Sequence, residues 1–349
     1  MISQTIINWY HNNKRDLPWR DTVDPYKVWI SEIILQQTRV NQGINYYYRF
    51  IESFPDIFSL ANADIDRVLK LWQGLGYYSR ARNMHETAKY IVSVYNGIFP
   101  TEYNDIVKLK GIGEYTAAAI ASFCFNEGIP VIDGNVFRVL SRVFGISEST
   151  QSASGKKVFK KKAEELMGKA QPHIFNQAIM EFGALQCVPK NPDCTVCPLK
   201  KHCFAFNNQL VSELPVKKTK ANQANRFFNY IYIIFNGTTF IEKRVTNDIW
   251  KMLYQIPLIE TDKKSDIQQL SNTELWNKIF DKTEITFSSP ILYKTHILSH
   301  QKLDCVFYKI HIKKPSPYLL NNYIQIPTEE INKYSIPRVL DWYFGKIKQ

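Results

Sequence analysis

Apolar residues recur every three to four positions through the first part of the chain, which is the spacing of one helix face. The pattern runs through residues 28–54 and again through residues 64–95. Short stretches containing Pro, Gly or Asn, such as 53–56 and 96–100, interrupt it. The pattern therefore predicts an all-helical region over residues 1–206.

The pattern changes in the last third of the chain, where aromatic and β-branched residues form short runs. Two such runs within residues 226–244 meet at an Asn-Gly dipeptide, 236–237, which is typical of a tight hairpin. Two more strands are expected within residues 291–314, and a final helix within residues 329–346. The pattern predicts a second domain of α+β type over residues 226–349.

The length of 349 residues suits two domains. We expect the linker between them at residues 207–225, a polar, lysine-rich stretch. Apolar residues make up 45% of the chain and charged residues 22%, the mixture of an ordinary globular protein. No apolar run approaches the roughly 20 residues that span a bilayer, and no signal-peptide pattern begins the chain. We therefore expect a cytoplasmic protein without a membrane partner.

The chain carries a formal net charge of +12, from 44 basic and 32 acidic residues. The excess is concentrated in residues 151–220, which hold twelve lysines and five acidic residues. A polyanion such as DNA would suit this charge, because lysines that neutralise phosphates release counterions. A generally basic soluble protein would carry the same charge, so charge alone leaves both readings open.

Four cysteines lie close together in the segment 187–203, and we call this segment the cysteine loop. Their spacing is C-x6-C-x2-C-x5-C, contributed by Cys187, Cys194, Cys197 and Cys203. Four thiolates this close can bind a structural zinc ion or an iron–sulfur cluster, and two disulfides are a further alternative. A zinc ribbon usually has two separated C-x2-C knuckles, so the compact, uneven spacing favours a [4Fe–4S] cluster.

A glycine turn precedes a predicted helix in the sequence LKGIGEYTAAAI, residues 109–120. Gly111 and Gly113 allow a tight turn and a close approach of another molecule, because they have no Cβ. The N–H groups at the start of the following helix form a site for an anion such as a DNA phosphate. An ordinary corner between two helices is the alternative interpretation.

Asp133 follows the glycine turn by about twenty residues and precedes a helix that carries Arg138 and Arg142. The glycine turn, this aspartate and the cysteine loop occur in the order found in the helix–hairpin–helix DNA glycosylases that carry an iron–sulfur loop. Four motifs resemble those of one family within that superfamily, the MutY-type adenine DNA glycosylases. They are DLPWR at 16–20, SEIILQQTRV at 31–40, GLGYYSRARN at 74–83 and IDGNVFRVLSR at 132–142. The resemblance covers residues 1–215.

The resemblance implies a multidomain protein, with an all-α helix–hairpin–helix glycosylase domain followed by an α+β, Nudix-like domain. It implies excision of adenine mispaired with 8-oxoguanine or guanine in double-stranded DNA, by a bacterial protein that we expect to be a monomer. In strand-cleaving relatives a lysine occupies the position of Tyr115, and its amine forms a Schiff base. A phenol cannot form one, so Tyr115 implies base removal without strand cleavage.

The same resemblance implies that two carboxylates carry the chemistry. Glu32 lies in an apolar stretch, where burial would raise its pKa, and it is implied to protonate N7 of adenine. Asp133 is implied to stabilise the positive charge that develops on the sugar, with Tyr115 and Asn135 beside it. A solvated glutamate on a helix face and a helix-capping aspartate are the alternative interpretations.

Other side chains are assigned by resemblance to the two bases of the mispair. The flipped adenine is implied to contact Trp19, Arg20, Leu35 and Gln177, although Trp19 and Leu35 would also suit a plain core. The opposing base is implied to meet Gln37, Thr38, Leu75, Tyr77, Ser299 and His300. Leu298, just before the last two, stands where the family has Phe, and Tyr77 would also suit a core.

Two other functions stay open from the sequence. A thymine or oxidised-pyrimidine glycosylase on the same scaffold would be compatible with Tyr115, but the second domain argues against it. A non-catalytic DNA-binding or redox-sensing protein would need neither Glu32 nor Asp133. The second domain lacks the R-E-x-x-E-E pattern with which a Nudix hydrolase holds Mg²⁺, so we expect no nucleotide hydrolysis.

Overall fold

The computed structural model of the chain describes residues 2–216 and 223–347. The chain forms two compact units, the first made of residues 1–62 and 83–219 and the second of residues 63–82 and 220–349. In the described ranges, no helix has the length and apolar character needed to cross a membrane.

Helices make up the regular structure of the chain before residue 208. They are α1 (Ile2–Asn13), α2 (Pro25–Leu35), α3 (Val40–Ser53), α4 (Ile57–Asn62), α5 (Ile65–Trp72), α6 (Ser79–Tyr95), α7 (Tyr103–Ile106), α8 (Glu114–Phe125), α9 (Gly134–Phe144), α10 (Ala153–Met167), α11 (Pro172–Leu185) and α12 (Phe204–Asn207), with a 3-10 turn at Lys200–His202. Side-chain caps begin several of them: Asp24 accepts a hydrogen bond from the Tyr26 N–H at the start of α2. The predicted all-helical region is confirmed.

One core of the first unit lies where α1, α9, α10 and α11 meet. Ile6, Val139, Phe159 and Ile179, one from each helix, are fully buried there. Helix α2 packs against α3 and α8. Because α2, α8, α9 and α11 are all held by this packing, side chains that project from them are fixed relative to one another.

The second unit is built on two small sheets. Its strands are β1 (Ala224–Ile234), β2 (Thr238–Lys243), β3 (Tyr254–Gln255), β4 (Leu258–Thr261), β5 (Ile285–Ile297), β6 (Gln301–Ile312) and β7 (Ile324–Pro327). Its helices are α13 (Ile267–Ser271), α14 (Glu274–Phe280), α15 (Pro317–Asn322) and α16 (Arg338–Ile347), with a 3-10 turn at Thr328–Lys333. One sheet has the order β4-β1-β6-β5, with β1 and β6 parallel, and the other has the order β3-β2-β7.

Both faces of the four-stranded sheet are covered, as alternation along β1 requires. On one face Phe228 and Tyr230 pack with Phe307 and with Tyr343 of α16. On the other face Ile231 packs in a second cluster that includes residues of α14 and α15. The predicted α+β character of this region is confirmed.

The predicted turn at the Asn-Gly dipeptide is present, but its two strands separate into different sheets. Asn236 and Gly237 have φ angles of 47° and 75°, and Phe235 bridges Thr238 across the turn. Beyond this bridge, β1 pairs with β4 and β6, whereas β2 pairs with β3 and β7. The predicted linker, residues 207–225, contains the end of α12 and the start of β1, and residues 217–222 of it lie outside the described ranges.

Helix α5 belongs to the second unit, although it is distant from the rest of that unit in sequence. Asp66 accepts a hydrogen bond of 2.8 Å from the Tyr254 hydroxyl and forms an ion pair with Lys243. Lys70 donates to the Tyr334 carbonyl at 3.1 Å. The apolar spacing of α5 indicates that one of its faces is buried, but it carries no information about which unit covers that face.

Candidate active site

A cavity of about 210 Å³ opens in the first unit among α2, α8, α9 and α11. All eight residues that were assigned to catalysis and to the adenine pocket line it: Glu32, Tyr115, Asp133, Asn135, Trp19, Arg20, Leu35 and Gln177. Trp19 is also packed edge-on against Tyr47, so it serves both the cavity wall and the core. The structure therefore brings these sequence-distant side chains to one place.

Glu32 projects from α2 into this cavity and is almost fully buried. Burial raises the pKa of its carboxyl to about 7, and the charge of Asp133 also raises it. A hydrogen bond from the Tyr115 hydroxyl and the positive charge of Arg20 oppose this rise. Near neutral pH the carboxyl is therefore protonated in a large fraction of molecules and can donate that proton.

Tyr115 lies in the first turn of α8, two residues beyond Gly113. Burial raises the pKa of its phenol well above the ordinary value, and the charges of Glu32 and Asp133 act in the same direction. The phenol therefore stays neutral and serves as a hydrogen-bond donor to Glu32.

Asp133 is the N-cap of α9, and its carboxylate is held by three hydrogen bonds. Oδ1 accepts from the backbone N–H groups of Asn135 and Val136, each at 2.8 Å, and Oδ2 accepts from the Asn135 side chain at 2.6 Å. Burial raises the pKa of Asp133, whereas these three donors favour its ionised form. The capping and catalytic interpretations are thus compatible, because the cap fixes the carboxylate at the cavity.

Arg138 joins the N-terminal end of α9 to the cysteine loop. Its Nη2 donates to Asn135 Oδ1 at 2.8 Å and to the Gly183 carbonyl at 2.6 Å. Its Nε donates to the Cys187 carbonyl at 2.6 Å. Arg138 therefore orients the amide of Asn135, which in turn donates to Asp133.

A buried ion-pair cluster on the cavity wall was not identified from the sequence. Glu181 of α11 is 1% exposed and accepts hydrogen bonds from both Arg15 and Arg20, with shortest distances of 2.6 and 2.7 Å. Burial raises the pKa of Glu181, but these hydrogen bonds outweigh it and hold the pKa at about 2. A glutamate inside the apolar helix stretch AIMEFGAL was the available signal, since a buried carboxylate needs a cationic partner.

Thr38 lines the cavity as well, so the structure groups it with the residues assigned to adenine. Gln37 is exposed and has a φ angle of 58°, in the left-handed region, two residues after the end of α2 and three before the start of α3.

The other residues assigned to the opposing base lie in the second unit. Tyr77 is 52% exposed, and its hydroxyl forms a short hydrogen bond with Ser299 Oγ. His300, which follows Ser299 in the sequence, is exposed, and Leu298 packs on the core of the unit. Leu75 is buried. The structure thus brings Tyr77 and Ser299 together as one exposed pair.

The glycine turn lies between α7 and α8, and its two glycines have different surroundings. Gly111 has a φ angle of 77°, and a Cβ placed on it would lie 2.6 Å from the Cβ of Asn83. Gly113 is the N-cap of α8, and open space surrounds the position where its Cβ would be. Lys110 in this turn forms an ion pair with Glu86 at 2.6 Å.

The four cysteines of the cysteine loop line one small cavity of about 20 Å³. Arg142 lines it too, with its Nη1 3.5 Å from the Sγ of Cys187. Burial raises the pKa of Cys197 to about 11, and a backbone N–H bond from Leu199 opposes that rise. Within the described residues, no three His, Cys, Asp or Glu side chains are grouped closely enough to hold one metal ion.

Two family models match the chain. One describes an HhH-GPD superfamily base excision DNA repair protein and matches residues 30–169. The other describes a NUDIX domain and matches residues 229–344. The first range contains the glycine turn, Glu32, Tyr115 and Asp133, and the second contains both sheets of the second unit apart from the start of β1.

Similar proteins include the adenine DNA glycosylase of Buchnera aphidicola subsp. Baizongia pistaciae (strain Bp), which is 42% identical over 276 residues, 78% of each chain. Among solved structures, a thermostable thymine-DNA glycosylase is 28% identical with a TM-score of 0.54, over 59% of this chain and 95% of that one. An endonuclease III in a non-covalent complex with DNA has a TM-score of 0.52 at 20% identity, over 60% and 95%. The likeness to the endonuclease III structure concerns the fold alone.

Proposed function

The chain belongs to the adenine DNA glycosylases of the HhH-GPD base excision repair superfamily, and from this premise we propose that it excises adenine opposite 8-oxoguanine or guanine without cleaving the DNA strand. The observation that carries the proposal is the meeting of Glu32, Tyr115 and Asp133 at one cavity. That cavity combines a transferable proton with a fixed carboxylate, the two things that breaking an N-glycosidic bond requires.

The first chemical role falls to Glu32. Protonation of adenine at N7 makes the base a better leaving group, and a carboxyl with a pKa of about 7 holds such a proton near neutral pH. The adenine must leave the duplex stack to reach the buried carboxyl. Trp19, Arg20, Leu35 and Gln177 are proposed to surround it there, and Thr38 joins them.

The second role falls to Asp133, whose carboxylate is proposed to stabilise the oxocarbenium ion that forms as the base leaves. Its three hydrogen bonds fix the oxygens before the charge develops, so that little reorganisation is needed. Water then completes the hydrolysis at the sugar carbon. Tyr115 supplies no amine for a Schiff base, which supports base removal without a strand-cleaving lyase step.

The second unit is proposed to read the base opposite the adenine. Tyr77 offers an exposed aromatic ring for stacking, and its hydrogen bond to Ser299 ties this ring to the loop that carries His300. A hydroxyl and an imidazole can bond to the N7–H and O8 edge that distinguishes 8-oxoguanine from guanine. Leu298 takes the place of an aromatic anchor by packing on the core of the unit.

The cysteine loop is proposed to hold a [4Fe–4S] cluster through Cys187, Cys194, Cys197 and Cys203. The four thiols surround one cavity, Arg142 contributes positive charge beside Cys187, and backbone N–H groups bond to the sulfurs of Cys197 and Cys203. Arg142 and these N–H groups favour the thiolate form that binds iron and oppose the burial that raises the thiol pKa values. When bound, the cluster would cross-link the loop through iron–sulfur bonds.

The two glycines of the turn are expected to respond differently to alanine. Gly113→Ala should leave thermal stability unchanged, since open space surrounds the added methyl, but should weaken DNA binding about tenfold by obstructing a phosphate. Gly111→Ala should lower the free energy of unfolding by about 1–2 kcal/mol, because of its φ angle of 77° and the contact with Asn83. Thermal unfolding measures the effect on stability, and fluorescence-anisotropy titration with DNA measures the effect on binding. Unchanged DNA affinity in Gly113→Ala would argue against phosphate binding at this turn.

The proposed function is tested with end-labelled duplexes that hold A opposite 8-oxoguanine, A opposite G, and T opposite G, each with and without alkali. Strand breaks should appear only after alkali, and mainly with A opposite 8-oxoguanine. Breaks without alkali would contradict the absence of a lyase step. Preferred release of T opposite G would instead support the thymine-specific alternative.

A further inference from the structure

Tyr10 of α1 is a buried residue behind the wall of the proposed adenine pocket, outside the range of the matched glycosylase family model. It is 5% exposed, and its hydroxyl lies 2.7 Å from Oε1 of Gln177 on α11. The Arg20 guanidinium lies over its ring, 5.6 Å from the ring centroid. Tyr10 therefore contacts two residues that line the cavity without lining the cavity itself.

The hydrogen bond sets which end of the Gln177 amide faces Tyr10. Burial raises the pKa of Tyr10, so its hydroxyl keeps a proton to donate. In the described part of the chain, Gln177 is the one hydrogen-bond partner of this hydroxyl. If the amide were reversed, Nε2 would donate to the phenol oxygen and the phenol hydrogen would lose its protein acceptor in a part-buried position, which is unfavourable. Oε1 is therefore held towards Tyr10.

We propose that Tyr10 is a positioning residue that fixes the amide of Gln177, so that the pocket distinguishes a purine with an amino group at position 6 from one with a carbonyl there. Adenine presents a donor at position 6 and an acceptor at N1, and hypoxanthine presents the reverse. An amide of fixed orientation can form hydrogen bonds with the donor and acceptor pattern of one of these bases, whereas an amide that is free to rotate can form them with either. This inference rests on the proposed adenine excision.

The test compares single-turnover base release from two duplexes that differ only in adenine or hypoxanthine opposite 8-oxoguanine. Tyr10→Phe keeps the ring beneath Arg20 and removes the hydroxyl. The ratio of hypoxanthine release to adenine release should rise about fivefold, the size expected for one neutral hydrogen bond. Gln177→Met removes the amide at similar side-chain length and should raise the ratio by a similar factor.

Tyr26→Phe is the matched control. Tyr26 is 5% exposed, as Tyr10 is, and its hydroxyl donates to the Phe54 carbonyl at 2.7 Å, but Tyr26 does not line the cavity. Both tyrosine variants should lose similar thermal stability, and only Tyr10→Phe should change the ratio. An unchanged ratio in Tyr10→Phe, or an equal change in Tyr26→Phe, would overturn the inference.

The Gln177 variants distinguish the remaining outcomes. If Tyr10 acts through Gln177, the double variant Tyr10→Phe/Gln177→Met should change the ratio no more than Gln177→Met alone. If the two substitutions changed the ratio additively in the double variant, the inference would be overturned. If Tyr10→Phe did not fold, an unchanged ratio in Gln177→Met would overturn it instead. A wild-type protein that released neither base would overturn the proposed adenine excision itself, and this inference with it.

Discussion

Glu32→Gln is expected to lower the single-turnover rate of adenine release by about a thousandfold, because glutamine keeps the shape of the side chain but has no proton to transfer. DNA affinity should change little, since Glu32 is buried and only partly ionised near neutral pH. The measurement is alkali-revealed cleavage of a duplex with A opposite 8-oxoguanine under enzyme excess. Glu127→Gln is the control, because this carboxyl accepts from the Tyr103 N–H and does not line the cavity.

The pH dependence gives a second readout for Glu32. The wild-type rate should fall as pH rises through about 7, where the carboxyl loses its proton. The same shift affects stability: the folded-state pKa lies above the ordinary value, so the stability that Glu32 contributes is present at low pH and is lost as pH rises through about 7. Glu32→Gln cannot ionise, so at pH 8 it should be at least as thermally stable as the wild type. A rate that rises across this range would contradict the role as an acid.

Asp133→Asn is expected to lower the rate by about a hundredfold or more, because a neutral amide cannot stabilise the positive sugar. The fold should persist, since asparagine is also a good N-cap for α9. Rapid-quench single-turnover assays at saturating enzyme separate this loss from a loss of DNA binding.

Asp24→Asn provides the matched control for that variant. Asp24 caps α2 in the same manner, through a hydrogen bond from the Tyr26 N–H, and it does not line the cavity. Its replacement should cost similar stability and leave the rate unchanged. Equal rates for wild type and Asp133→Asn would show that the aspartate is a cap alone.

Local patterns were sufficient to predict the helical region and the change to α+β structure, whereas the resemblance to a known family indicated eight of the residues that line the cavity. These features depend on residues close together in the chain or on motifs with specific spacing. The burial of Glu32 is one example, because the apolar residues on both sides of it already indicated a desolvated carboxyl.

Long-range partners could not be predicted in the same way. Arg15 and Tyr10 meet Glu181 and Gln177 across more than 160 residues of sequence. Periodicity indicates that a helix face is buried, but it does not identify which side chain on another helix lies opposite. The sheets of the second unit show the same limit, because a turn signal at residues 236–237 cannot reveal that β1 pairs with β6.

The discontinuity of the second unit has a consequence for synthesis on the ribosome. Helix α5 is translated about 170 to 260 residues before its partners Lys243, Tyr254 and Tyr334. At about 5–20 residues per second, this interval lasts roughly 9–50 s. During that time Asp66 and Lys70 of α5 lack these later partners. The last of these contacts therefore forms only after translation passes residue 334.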